Sequence, residues 1–189
     1  MPRLTIPYRA TTNPQPMGRH QRLTALRRVL DHDAAPLRSR AAAALVLLFA
    51  QPLTRIVCLT TDDILDEGQQ VHLRLGAPPS PLPEPVADLV RDYLRSLPAH
   101  TPAVNLSAHW LFPGRRPGQP VNTSTLRDAL RDLGIPNQRA RTSAIRHLVL
   151  RAPAPVIAKA LGYHDKTATR LVTEAGGTWS RYAPGDHTR

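Results

Sequence analysis

One stretch near the end of the chain has polar side chains at a spacing that suits the reading of DNA bases. Residues 156–171 are VIAKALGYHDKTATRL, in which Ala158 is small where two helices would cross and Gly162 allows a tight turn. A second helix after that turn would enter a major groove. Any helical hairpin with a glycine turn has the same appearance. The side chains that this helix-turn-helix pattern places against DNA are Lys166, Thr167, Thr169 and Arg170.

Residue types that support metal or redox chemistry are sparse. Asp62 and Asp63 are adjacent carboxylates with no third ligand nearby, so a turn or a helix cap is a better interpretation than a metal site. Cys58 is the single cysteine, which excludes a disulfide framework and a cysteine-based zinc site. We therefore predict no metal and no cofactor.

The charge balance favours an anionic partner. The 189 residues include 25 basic and 14 acidic ones, for a formal net charge of +11, and only Lys159 and Lys166 of the basic residues are lysine. Arginine accompanied by 20 prolines and many alanines is also what a GC-rich genome produces. Uncompensated positive charges nevertheless repel one another, and a nucleic acid relieves that repulsion.

Apolar residues are distributed as in a protein that folds in water. They make up 41% of the chain and aromatic residues 4%, so the core must consist of Leu, Val, Ile and Ala. The longest apolar run, residues 41–50, is about half of a bilayer span. The first residues lack the apolar stretch of a secretory signal. We expect a cytoplasmic, nucleoid-associated protein without membrane contact.

Hydrophobic periodicity predicts a mostly helical domain with a small β element. Val71, Leu73 and Leu75 alternate with polar residues, as in a strand, and five prolines between Pro78 and Pro85 require an extended connector. The predicted helices cover residues 20–32, 36–50, 53–59, 84–97, 122–133, 142–151, 155–161 and 166–175. The predicted strands cover residues 69–75 and 109–112.

Segments in this order resemble the conserved boxes of the tyrosine recombinase (phage integrase) catalytic domain. Residues 53–64 are similar to the first box, in which a helix with an active-site arginine ends in a Leu-x-x-x-Asp-Ile turn. Residues 143–147 are similar to the second box, usually His-x-Leu-Arg-His, and residues 161–164 to the Leu-Gly-His that follows. Residues 178–182 look like the segment with the nucleophile. The resemblance covers roughly residues 37–184.

The resemblance implies covalent chemistry on DNA without a cofactor. In this family a tyrosine attacks a phosphodiester and forms a phosphotyrosyl intermediate. Two arginines bind the non-bridging oxygens, and histidines and a lysine transfer protons. The catalytic residues that it implies here are Arg55, Arg146, His147, His164 and Tyr182. Arg55 and Arg146 would be the DNA-contacting phosphate ligands.

The chain departs from the family pattern at several catalytic positions. The usual first arginine aligns with Pro52, one helical turn from Arg55, and the first histidine of the second box is Ser143. Tyr163 occupies the histidine position after Leu-Gly, and Val172 the usual position of the nucleophile. The hairpin lysine has no counterpart. These departures predict that strand exchange is impaired or lost.

Structural roles compete with the functional ones at the same residues. Arg55 suits a solvated helix position or an ion pair as well as a phosphate contact. His147 lies on the side of Leu150, as a hydrogen-bonded core histidine would. Tyr163 is expected to be structural, and Tyr182 has packing against Trp179 as its alternative.

The fold predicted from these observations is mostly α with a small β-sheet (α+β), an integrase-like DNA breaking-rejoining catalytic domain. We divide the chain into a flexible Pro/Thr-rich tail (1–18), a connecting helix (19–36) and this domain (37–189), and expect the family's N-terminal DNA-clamping domain to be absent. The leading hypothesis is duplex DNA binding with impaired strand exchange. The alternatives are an active recombinase using Tyr182, a small helix-turn-helix transcriptional regulator, and a remnant that binds nothing. The expected partners are double-stranded DNA and a recombinase partner chain or a second copy on DNA.

Overall fold

The computed structural model describes residues 17–97, 109–149 and 152–163, which form seven α-helices and a small antiparallel sheet. The helices are α1 (Arg19–Asp31), α2 (Leu37–Phe49), α3 (Leu53–Ile56), α4 (Glu84–Ser96), α5 (Thr123–Asp132), α6 (Asn137–Val149) and α7 (Ala154–Leu161). The strands are β1 (Ile64–Asp66), β2 (Val71–Leu73) and β3 (Ser80–Pro81), and a 3-10 turn (Thr61–Asp63) precedes β1. The predicted fold class is confirmed.

Helix α2 is the centre of the described structure. Its residues from Arg40 to Leu47 are all buried, because apolar side chains surround the helix and leave no face that prefers water. The alanines at positions 41 to 44 let α1, α4, α5 and α6 approach closely. The amphipathic helix α4 covers one side of α2 with Val86, Leu89 and Val90.

The sheet has the order β1-β2-β3, with antiparallel pairing throughout. Leu65 pairs with His72, and His72 pairs with Pro81 on the other side. Val71 and Leu73 are buried while His72 is half-buried, so the predicted alternation is confirmed in a shorter strand. Strand β3 lies within the proline connector, where an edge position tolerates a residue without an N–H.

Three predicted boundaries were wrong. The segment 109–112 is not a strand of this sheet, because Trp110 forms only an isolated bridge with Thr60. Helix α3 ends at Ile56 rather than at residue 59. Helix α6 begins at Asn137, five residues before the predicted start at 142. Pro136 does not only stop the preceding helix, since its carbonyl accepts the Ala140 amide at 2.9 Å and opens the next one.

Two buried arginines satisfy carbonyl groups at the ends of α1 and α2. Arg22, 3% exposed, donates from Nη1 to Leu47 O at 2.6 Å. Arg40, 7% exposed, donates from Nε to Val29 O at 2.9 Å and from Nη2 to Leu30 O. These carbonyls belong to the last turns of their helices, which no later amide of the same helix satisfies. Some arginine side chains of this protein are therefore part of its buried core.

Candidate nucleic-acid interface

Arg55 reaches from α3 to the end of α7. Its Nη1 donates to Leu161 O at 2.7 Å and to Gly162 O at 2.5 Å, and its Nη2 donates to Leu75 O. Positive charge at a helix C-terminus also complements the helix dipole. Both terminal nitrogens of the side chain are thus engaged with the backbone, and a phosphate could bind them only by replacing these acceptors.

The backbone around Arg55 is packed too closely for larger residues. Gln51 is fully buried and donates from Nε2 to Leu161 O at 3.2 Å. Gly162 has a φ of 61°, and a Cβ at this position would overlap Leu75 O and the Arg55 guanidinium. Glycine is therefore required here for both its conformation and its size. We call the set Gln51, Arg55, Leu75, Leu161 and Gly162 the α7 junction.

Tyr163, at the histidine position of the family pattern, has a structural role, as predicted. Its Oη donates to Ala50 O at 2.6 Å, and Arg141 Nε donates to the same carbonyl at 2.7 Å. The Arg141 guanidinium lies 5.8 Å from the centroid of the Tyr163 ring. Burial raises the pKa of Tyr163, against the opposing charge of Arg141. The hydroxyl is thus kept neutral and able to donate.

The second box lies on α6 with two different environments. Ser143 is buried, whereas the side chain of Arg146, three residues later, is exposed and has no hydrogen bond or ion pair within the described part of the chain. His147 is half-buried. A serine hydroxyl does not transfer protons near neutral pH, so Ser143 cannot do the work of the histidine in the family pattern. Arg146 is the polar residue of the second box that is best placed to bind an external anion.

Several predicted site residues fall outside the described ranges. They are His164, Lys166, Thr167, Thr169, Arg170 and Tyr182. The helix-turn-helix hypothesis and the nucleophile assignment therefore stay predictions. The turn interpretation of the adjacent carboxylates is confirmed, because Asp63 Oδ2 accepts from both Thr60 N and Thr60 Oγ1 at 2.9 Å.

A large depression that the motifs did not indicate lies beside the first turn of α5. It measures about 1140 Å³, and the exposed side chains of Arg38, Arg115 and Arg116 line it. No carboxylate is among the described residues at its wall, and none of the three arginines has an ion-pair partner there. We call this depression the basic cleft.

A hydrogen-bonded loop presents two of these arginines. Residues 113–120 form a hairpin-like turn in which Gly114 N donates to Gln119 O at 2.8 Å. Trp110 Nε1 donates to Gly118 O at 3.0 Å and fixes the tip. Asn122 then caps α5 by accepting from Ser124 N at 2.9 Å. The first turn of α5 has no acidic residue, so the positive end of its dipole adds to the arginine charges.

Comparison with known proteins identifies the fold. No protein-family model matches the sequence, and no curated protein matches it. Among solved structures, XerA recombinase has 17% identity and a TM-score of 0.58, over 88% of this chain and 61% of that one. XerH site-specific recombinase, in a post-cleavage complex with its palindromic difH substrate, has 15% identity and a TM-score of 0.58, over 89% and 54%.

The chain has the fold of these recombinases. It spans a little over half the length of either structure, and at this level of identity the likeness concerns the fold and not the activity. The recombinase fold agrees with the order of boxes recognised in the sequence. The basic cleft was missed, although two adjacent arginines between Gly114 and Gly118 were a visible signal for it.

No helix within the described ranges has the length and apolar character needed to cross a membrane.

Proposed function

We propose that this protein binds duplex DNA through the basic cleft and Arg146, and that its strand-exchange activity is impaired or lost. The observation that supports this most is the cleft. Three exposed arginines and the N-terminus of α5 face one depression, and no described carboxylate neutralises them. Charges held unpaired on one surface favour an anionic partner.

A repeating polyanion suits this arrangement better than a single small anion. One DNA strand carries a phosphate about every 3.4 Å along the helix axis, and each neutralised phosphate releases condensed counterions. Arg38 comes from α2 whereas Arg115 and Arg116 come from the loop, so the charges are spread across the cleft. One planar guanidinium group can donate two parallel hydrogen bonds to two oxygens of a phosphate.

Impaired catalysis is supported by the environment of the first box. Pro52 has no guanidinium where the family pattern has its first arginine, and Arg55 donates to Leu161, Gly162 and Leu75 carbonyls. Ser143 is buried at the usual histidine position. Arg146 alone is then left for the transition-state charge that two arginines normally share.

The test is duplex DNA affinity measured across a salt series. We expect Arg115→Ala and Arg116→Ala each to lower the salt slope by about one unit. Arg95→Ala is the matched control, because Arg95 is an exposed arginine on α4 that pairs with Asp92 outside the cleft. Equal slopes for the wild type, the cleft variants and the control would refute DNA binding by this cleft.

An active recombinase with Tyr182 as its nucleophile is the second candidate, favoured by the fold and the exposed Arg146. It requires a covalent adduct between protein and a nicked suicide substrate, lost in Tyr182→Phe. Retained duplex affinity without any adduct is the result that the first proposal expects.

A further inference from the structure

The basic cleft contains neutral polar side chains beside its three arginines. They are Gln119, Asn122 and Thr125. We propose that Gln119 is a specificity-determining residue, which contacts an adenine in the major groove of the bound duplex while the arginines hold the phosphates. This inference rests on the proposed binding of DNA by the basic cleft.

Phosphate contacts by the arginines do not distinguish one DNA sequence from another. A guanidinium carries donors and no acceptor, and the backbone presents the same phosphates at every base pair. Binding through these contacts alone would therefore be equal for all duplexes. A preference requires a side chain whose donors and acceptors match the edge of one base.

Gln119 has both kinds of group available at the cleft. Its side chain is exposed and has no hydrogen bond within the described part of the chain, so its carboxamide oxygen and its NH2 group are both free. The carboxamide of Asn122 is already in use, because its Oδ1 accepts from Ser124 N and Ser124 Oγ at 2.9 Å. The single hydroxyl of Thr125 bonds to more than one kind of base and selects none.

The main chain of Gln119 is held in place relative to the arginines. Its amide donates to Arg116 O at 3.2 Å, and its carbonyl accepts from Gly114 N at 2.8 Å. Two residues later, Val121 N donates to Phe112 O at 2.8 Å. A bound duplex would therefore not have to order this part of the loop. Phosphate contacts at Arg116 would also fix where the Gln119 side chain meets the bases.

The chemistry of the carboxamide selects the base and the groove. In the major groove, adenine presents the N6 amino group as a donor beside N7 as an acceptor. Gln119 Oε1 can accept from N6 while Nε2 donates to N7, which uses both of its groups. In the minor groove, an A·T pair presents acceptors only, so Oε1 would have no partner there. These requirements favour adenine read from the major groove.

The experiment measures base preference and salt slope separately, with the full chain and a library of duplexes that share a randomised central segment. In the wild type we expect adenine to be enriched at one position by about 5- to 150-fold over the other bases, the discrimination of one bidentate contact. Gln119→Ala should lose this enrichment and keep its salt slope on an unselected duplex. Gln69→Ala is the matched control, because Gln69 is an exposed glutamine in the turn between β1 and β2, and it should keep the enrichment.

A second variant tests the chemistry of the contact. Gln119→Glu should change the preferred base from adenine to cytosine, because a carboxylate only accepts and the N4 amino group of cytosine donates. Arg115→Ala should lower the salt slope by about one unit and retain the adenine preference.

The contrary results are distinct. Binding without enrichment of any base, or an adenine preference that Gln119→Ala retains, overturns the assignment of Gln119. Loss of the preference in Arg115→Ala but not in Gln119→Ala overturns it as well, since the arginine would then read the base. If the wild type has no salt-dependent affinity for any duplex, DNA binding itself is refuted, which is a different result from binding without a preference.

Discussion

The α7 junction and the basic cleft are both built around arginine, yet the two regions use it in opposite ways. In the junction, Arg55 donates to three main-chain carbonyls of α7 and the segment after β2. In the cleft, Arg38, Arg115 and Arg116 line a depression that has no carboxylate among its described residues. The difference lies in the acceptors within reach, because the guanidinium is the same charged group in both places.

This comparison explains how the high arginine content is divided. In the described part of the chain, the arginines that donate to helix-end carbonyls are Arg22, Arg28, Arg40, Arg55 and Arg141. Removal of such a side chain leaves these carbonyls without a hydrogen-bond donor and lowers the free energy of unfolding. Removal of an unpaired surface arginine leaves the fold alone and reduces only attraction for an anion.

The largest expected effect is that of Arg55→Ala on stability. We expect a loss of about 2–3 kcal/mol in the free energy of unfolding, because three carbonyls lose a charged donor. Arg115→Ala should change the same quantity by less than about 0.5 kcal/mol. Urea unfolding followed by circular dichroism measures both. Equal effects for the two variants would remove the distinction between the regions.

The next prediction separates two costs of replacing Gly162 in the α7 junction: the left-handed backbone conformation and the close packing around its Cβ position. Gly162→Ala places a methyl group on a left-handed residue and against Leu75 O and Arg55. Gly68→Ala is the control, since Gly68 also has a positive φ, of 81°, but nothing within 4 Å of its Cβ position. We expect a loss of about 1 kcal/mol in the free energy of unfolding for the control and about 1 kcal/mol more for Gly162→Ala. Equal losses of stability in Gly162→Ala and Gly68→Ala would show that the α7 junction is loosely packed.

In the DNA assay the order of the two regions should reverse. The double variant Arg38→Ala/Arg115→Ala should lower the salt slope by about two units. Arg55→Ala, assayed at a temperature below the midpoint of its thermal unfolding, should leave the salt slope unchanged. A reduced slope in folded Arg55→Ala would mean that this guanidinium exchanges its carbonyls for phosphate.

The smallest expected effect concerns the surface ion pair between Arg91 and Asp66. This arginine is intermediate between those of the two regions, because it has a partner but the partner is an exposed carboxylate. Arg91 binds Asp66 through Nε at 2.9 Å and Nη2 at 3.0 Å, and this lowers the pKa of Asp66 from 3.8 to about 2. A carboxyl with a lowered pKa in the folded state stabilises the fold above its unfolded pKa. That stability is lost as the pH falls from about 4 towards 2.

The measurement is the pH dependence of unfolding in wild type and Asp66→Asn. The wild type should lose stability over this acidic interval, and the variant should lose less. Because Asp66 is exposed and Arg91 is only half-buried, added salt should reduce the difference. Parallel pH profiles for the two proteins would show that the pair contributes nothing to stability.

Local sequence patterns predicted most elements but not all boundaries. The N-cap Asn122 and the glycine at 134 correctly bracketed α5, since capping depends on neighbouring residues. The start of α6 was missed because Pro136 suits both the end of one helix and the beginning of another. Strand β3 was missed because pairing with β2, and not its two residues, makes it a strand.

The amino-acid sequence by itself determined the helical class, the central apolar helix, the positive charge and the order of boxes that resembles a recombinase. These properties depend on composition and on residues a few positions apart. Only the tertiary structure decided what each arginine does. The acceptors of Arg55 at the end of α7 lie more than 100 positions away along the chain. Arg38 lines the same depression as Arg115 and Arg116 because α2 packs against α5. A hydrogen bond requires an acceptor at a definite distance and direction, and folding alone brings such distant groups together.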